Sequence, residues 1–124
     1  MEIVCTRSLL IIFQLAIMYP KRYNNPMKYE LDKTDIVDKW LNSRKNRSYR
    51  NRLLARFQRV QNGNFGDFKP ITNHLFELRF FFGNGLRIYY TVQHKKVVLL
   101  LVGGDKSSQR KDIEKAKRLL DDLE

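Results

Sequence analysis

The chain holds one cysteine, Cys5, and two histidines, His74 and His94, among 124 residues. A lone cysteine rules out an intrachain disulfide and fits a reducing compartment, so the expected location is cytoplasmic. Two histidines, both beside predicted turns, fall short of the ligands a metal site requires, so neither a metal nor a cofactor is expected. The apolar run from Leu9 to Tyr19, interrupted by Gln14, is shorter than the roughly 20 residues a bilayer-spanning helix needs. No internal repeat, low-complexity linker or second domain is visible. Acidic residues are scarce: 13 face 24 lysines and arginines, for a formal charge of +11. Such a surface attracts polyanions, whether nucleic acid, an anionic membrane face or an acidic protein. A domain that is simply basic is the plain alternative.

What is present is enough for one core. Hydrophobic content of 43% and aromatic content of 12% exclude a wholly disordered chain. The rest is organised around the stretch from Leu75 to Asp112. Phe76, Leu78, Phe80 and Phe82 alternate with Glu77, Arg79 and Phe81, the period of a strand with two different faces. Gly83-Asn84-Gly85 supplies the positive-φ residues of a short hairpin. Leu86, Ile88, Tyr90 and Val92 then alternate with Arg87, Tyr89 and Thr91. A turn at Gln93 to Lys95 leads into Lys96 to Val102, apolar on both faces and expected to be covered on both. Pairing of the first two strands puts Glu77, Arg79, Arg87 and Tyr89 on one face, a charged patch on a rigid sheet.

Upstream, residues 1–26 read as a leader and 27–124 as the working domain. Arg7 and the apolar run weakly imitate a signal peptide, but Tyr19-Pro20-Lys21-Arg22 is the wrong flank for cleavage. A dispensable or mis-assigned start ranks first, a partner-binding or core-capping segment second and an export signal third. A first strand is expected at Lys28 to Leu31. Thr34 caps a short helix whose stripe is Ile36, Val37, Trp40 and Leu41. After a turn at Asn42 to Asn46, a second helix is expected from about Arg47 to Gln61, stopped by Gly63. Arg44, Lys45, Arg47, Arg50, Arg52, Arg56 and Arg59 follow one another with no acid between them. A solvated face usually mixes signs, so these residues are candidate contacts to a phosphate-rich or acidic partner. Lys69, just after the glycine-bearing loop Gln61 to Phe68, can reach the edge of the charged patch. Gly103-Gly104-Asp105-Lys106 lacks the spacing of a nucleotide-hydrolysing loop. It reads instead as a turn into a final helix, capped by Asp105 or Ser107 and packed through Ile113, Ala116, Leu119, Leu120 and Leu123. The expected class is α+β, in the order β-α-α-β-β-β-α.

The segments FGDFKPI, HLFELRFFFGNGLRIYY and VLLLVGGDKSSQRKDIEKA resemble the RelE/ParE superfamily of bacterial toxins, in particular the HigB-like addiction module killer proteins. The resemblance covers roughly Met27 to Leu120. It implies a small antiparallel sheet, with its N-terminal strand in mixed pairing as an option, packed on two N-terminal helices and followed by a C-terminal helix. It also implies a type II toxin neutralised by a cognate antitoxin. Many members cut messenger RNA on the ribosome, whereas ParE-type members poison DNA gyrase. The basic positions of RNA-cleaving relatives fall on Glu77, Arg79, Arg87 and Lys106. Glu77 departs from that pattern, as does Asp112, which stands where those relatives place a tyrosine.

RNA carries its own nucleophile, the 2′-hydroxyl, so a metal-free ribonuclease must remove that proton, stabilise a phosphorane and protonate the leaving 5′-oxygen. Arg79 and Arg87 suit the phosphorane, because a guanidinium grips two phosphate oxygens and stays charged. Lys69 and Lys106 add charge. Glu77 is the candidate base, and Asp112 or Tyr89 the acid or orienting group. The competing reading is that Glu77 only pairs with Arg79 or Arg87 on the sheet.

Overall fold

The computed structural model describes residues 28–123; the leader therefore lies outside the described residues. Strand β1 runs Glu30–Lys33, helix α1 Asp35–Leu41, a 3-10 segment Arg44–Tyr49 and helix α2 Arg50–Gln61. Strands β2 (Phe68–Pro70), β3 (Phe76–Arg79), β4 (Arg87–Gln93) and β5 (Val97–Gly104) follow. A 3-10 turn at Lys106–Ser108 then leads into helix α3, Gln109–Asp122. The fold is α+β in a RelE-like arrangement. Its five-stranded sheet has the order β1-β5-β4-β3-β2; β1 pairs parallel with β5 and the other neighbours are antiparallel.

The expected order holds with one strand added and some boundaries moved. Strand β2 begins at the end of the expected Gln61–Phe68 loop and goes unmarked in the sequence, because three residues ending in a proline give no alternation to detect. The first strand starts at Glu30 rather than Lys28. The second helix begins as a 3-10 segment at Arg44 instead of an α-helix at Arg47. There the basic residues Arg44, Lys45, Arg47 and Arg50 oppose the helix dipole, and Asn46 donates to the Trp40 carbonyl at 2.8 Å, tying the turn down.

Strand β5 is covered on both faces, as its unbroken apolar sequence requires. On one side α1 and α2 bring Val37, Leu41, Leu53, Phe57 and Val60 against Leu78, Ile88, Tyr90, Val98 and Leu100. On the other, α3 brings Ala116 against Leu75, Tyr89, Leu99, Leu101 and Val102. A β-bulge lets two such cores share one strand: Tyr89 pairs with Val102 and Tyr90 with Leu100, leaving Leu101 as the extra residue. Thr34 joins the layers there. Its hydroxyl accepts from the Val37 N–H at 3.2 Å as helix cap and donates to the Leu101 carbonyl at 2.8 Å.

The β3–β4 hairpin turns through Gly83, Asn84 and Gly85, all with positive φ (59°, 58° and 72°), as the turn chemistry demands. Beneath it Phe80 is buried, and Phe82 stacks on Tyr49 at 5.3 Å with the Arg52 guanidinium 4.7 Å from its ring centre.

Candidate functional site

Strand register puts the charged residues together. Arg79 lies directly across from Arg87, Glu77 across from Tyr89, and Lys69 across from Glu77. Directly opposed residues share a face, so all five lie on the side that α3 partly covers, opposite the side packed by α1 and α2. Two arginines facing each other repel, and each is held by its own carboxylate. Arg79 donates to Asp67 at 2.8 Å, and that bond, reinforced by the carboxylate's charge, raises the guanidinium pKa further. Arg87 donates to Glu77 at 2.9 Å. The Nε of each arginine is buried and has no hydrogen-bond partner. The Arg79 side chain is 38% exposed and that of Arg87 15%.

Glu77 is fully buried. One carboxylate oxygen takes the Arg87 bond and the other takes the Gln109 amide at 2.9 Å. An expected open base is therefore a buried anchor: Glu77 sits beneath the patch and fixes Arg87 to the first residue of α3. Tyr89 is also wholly buried. Burial first, then the Glu77 charge it faces, pushes its phenol far up, and its hydroxyl completes no well-formed hydrogen bond. A phenol so placed stays protonated.

Asp112 comes to the same face from α3. Its carboxylate accepts from Ser108 at 2.6 Å and occupies the space a side chain on Gly104 would need. Gly104 pairs with Arg87, so the missing side chain is what lets Asp112 approach the arginine strand. Burial raises the Asp112 carboxyl above its ordinary range, the Ser108 bond works against that shift, and Asp105 adds to it. Asp67, Glu77 and Asp105 each hold a cation. Asp112 is instead held by a hydroxyl.

The glycine turn is capped as expected. Asp105 accepts from the Ser107 N–H at 2.8 Å, and a reciprocal box forms with Ser108. Lys45 reaches the same carboxylate at 3.1 Å. The Ser107 hydroxyl and then Lys45 depress the Asp105 pKa far below the usual carboxylate range. Lys106 is exposed, and its N–H donates to the Asn84 carbonyl at 3.3 Å, joining the turn to the hairpin tip.

The basic run of the second helix is not gathered at this face. Arg44, Arg47, Arg50, Arg52 and Arg59 are exposed, on the two segments that pack the other side of the sheet. Arg50 is bonded to Asn42 and Arg52 lies over aromatic rings. Lys45 is engaged with Asp105. Arg56 is a structural residue: it donates to the carbonyls of Arg79 (2.8 Å), Phe65 (2.8 Å) and Asp67 (3.0 Å), with its guanidinium 4.8 Å from the Phe80 ring centre. The expectation of a contact residue at Arg56 is corrected on that ground, since its donors are spent on backbone. Asp67, Ser108 and Gln109 escaped sequence reasoning. The only available signals were the placement of Asp67 on the approach to a three-residue strand, and of Gln109 at a helix start.

Among the described residues no helix is long and apolar enough to cross a membrane, and no group of three or more His, Cys, Asp or Glu is arranged to hold a metal ion.

A single mixed sheet with helices on both faces and opposed arginines on one of them, each paired with a carboxylate, defines a small basic domain of RelE-like architecture. The chain belongs to the phage-derived Gp49-like family, of the RelE and toxin–antitoxin-like group, whose profile matches residues 39–121. Membership implies an antitoxin partner. A protein of Haemophilus influenzae, described as uncharacterized, is 43% identical over 97 residues, covering 78% of this chain and 98% of the relative. No solved structure matches the chain significantly.

Proposed function

We propose that this protein is the toxin of a type II toxin–antitoxin module, of the HigB-like kind, and that it cuts messenger RNA on the ribosome without a metal. The observation carrying this reading is the opposed pair Arg79 and Arg87: two guanidinia on one face of adjacent strands, each held by a carboxylate. Such a pair is preorganised for a phosphate whose negative charge grows in the transition state. As the 2′-oxygen bonds to phosphorus and the bond to the 5′-oxygen breaks, Arg79 and Arg87 hold the equatorial oxygens. Lys69 and Lys106 add positive charge at the margins.

Glu77 acts through Arg87 as a positioning residue, and Gln109 fixes Glu77 in turn. Asp112 accepts the proton of the 2′-hydroxyl, as the carboxylate of the group that forms no salt bridge among the described residues; the departing 5′-oxygen is protonated from solvent. Tyr89, buried and neutral, supports the floor.

The test is a purified translation reaction programmed with a defined message. Wild-type protein cuts it and Arg87→Ala does not, with the circular dichroism spectrum of the variant retained and its melting temperature lowered but above the assay temperature, since Glu77 loses its partner. Equal cleavage by the two proteins would remove the arginine pair from the chemistry. An intact message, accompanied by gyrase-linked DNA breaks in cells, would assign the protein to the gyrase-poisoning branch.

A further inference from the structure

Phe81 is 89% exposed, more than any other large apolar side chain among the described residues. Its neighbours are fixed: Phe80 is buried and its N–H donates to the Leu86 carbonyl at 2.9 Å, while the Leu86 N–H donates to the Phe82 carbonyl at 3.1 Å. Phe80 and Phe82 both belong to the core on the α1–α2 side. Phe81, between them, lies outside that core, on the side where alternation puts Arg79 and Arg87. It stands two residues beyond Arg79, on a hairpin whose tip is tied to Lys106.

The other exposed ring, Phe68 at 48%, is tilted against Phe65, which stacks on Tyr90 of the first core. The two rings therefore form no continuous apolar patch of the size a docking protein covers. A single exposed ring two residues beyond Arg79 matches a different ligand: a base whose phosphate the arginines hold.

Resting on the ribonucleolytic reading above, we infer that Phe81 is a stacking platform for an unpaired nucleobase next to the phosphate gripped by Arg79 and Arg87. The ring is sequence-tolerant, because every base offers a π-face. It supplies affinity without charge and sets the register of the strand on the arginine pair. The stiff hairpin means that little ordering cost is paid on binding.

The experiment measures binding of the full chain to a single-stranded 2′-O-methyl hexaribonucleotide, which cannot be cleaved, and to the same oligomer carrying abasic positions, over a range of salt. Phe81→Ala should weaken binding of the intact oligomer about tenfold, with the salt slope and melting temperature unchanged. Phe81→Trp should restore binding, and the abasic oligomer should not distinguish Phe81→Ala from wild type. Wild-type affinity in Phe81→Ala for the intact oligomer overturns the inference, as does an equal loss on both oligomers. So does unchanged RNA binding with lost neutralisation by the antitoxin, which would make Phe81 a protein contact. Absence of RNA binding by the wild-type chain also overturns the inference, while the ribonucleolytic reading stands or falls on message cleavage in the translation reaction, so the two failures are read separately.

Discussion

Charged residues take different roles here, decided by what each touches. Arg56 spends its donors on backbone carbonyls of the loop and strand that frame the site. Arg56→Ala should therefore cost about 3 kcal/mol in urea unfolding, against a change within about 0.5 kcal/mol for the exposed Arg59→Ala. Asp105 holds the glycine turn. Its folded pKa lies below the ordinary value, so the stabilisation is complete above about pH 4 and is lost as pH falls through the depressed value. Asp105→Asn should lower stability at neutral pH and flatten its decline on the acid side, read from melting temperatures across pH. Asp112 has the opposite sign. Its folded pKa is raised, so what it contributes is present below the unfolded value and disappears as pH rises through the folded one. Asp112→Asn should keep or raise the neutral-pH melting temperature while reducing message cleavage at least tenfold. A residue that lowers stability and supports turnover is placed for function.

At the scale of elements, the site depends on how β2, the hairpin and the first turn of α3 are clasped together. Gly104→Ala should fail at that clasp, because the added carbon meets the Asp112 carboxylate and the Ser108 hydroxyl; a loss of about 1–3 kcal/mol is expected. The strands that carry Arg79 and Arg87 were legible because alternation and the Gly83-Asn84-Gly85 turn fix register, and register fixes which side chains share a face. The cap at Thr34 and the two-sided covering of β5 followed from local chemistry in the same way. Burial of Glu77 was not legible. It depends on Gln109, 32 residues away, and no local pattern reports whether a carboxylate on a strand faces water or a helix start. The role of Arg56 was hidden for a similar reason: a run of like charges reads as one surface until a loop folds back onto one member. Strand β2 gave no pattern, although it supplies Lys69 and seats the Asp67–Arg79 pair beside it.

Over the whole molecule the formal charge is +11; among the described residues exposed basic side chains lie on both sides of the sheet, while the anchored arginine pair occupies one. The distributed charge should govern encounter and salt dependence, and the pair should govern chemistry. Affinity for single-stranded RNA is thus expected to fall steeply with salt. Arg87→Ala should lessen the logarithmic slope by about 0.7, the contribution of one phosphate contact, and an exposed arginine on the far side should alter affinity without touching cleavage. The most direct test of the central claim is to induce wild type and Arg87→Ala in growing cells and map the 5′ ends of their transcripts. The account predicts new ends within translated messages and growth arrest for the wild type, and neither for the variant. The same new ends and the same arrest from Arg87→Ala would contradict it.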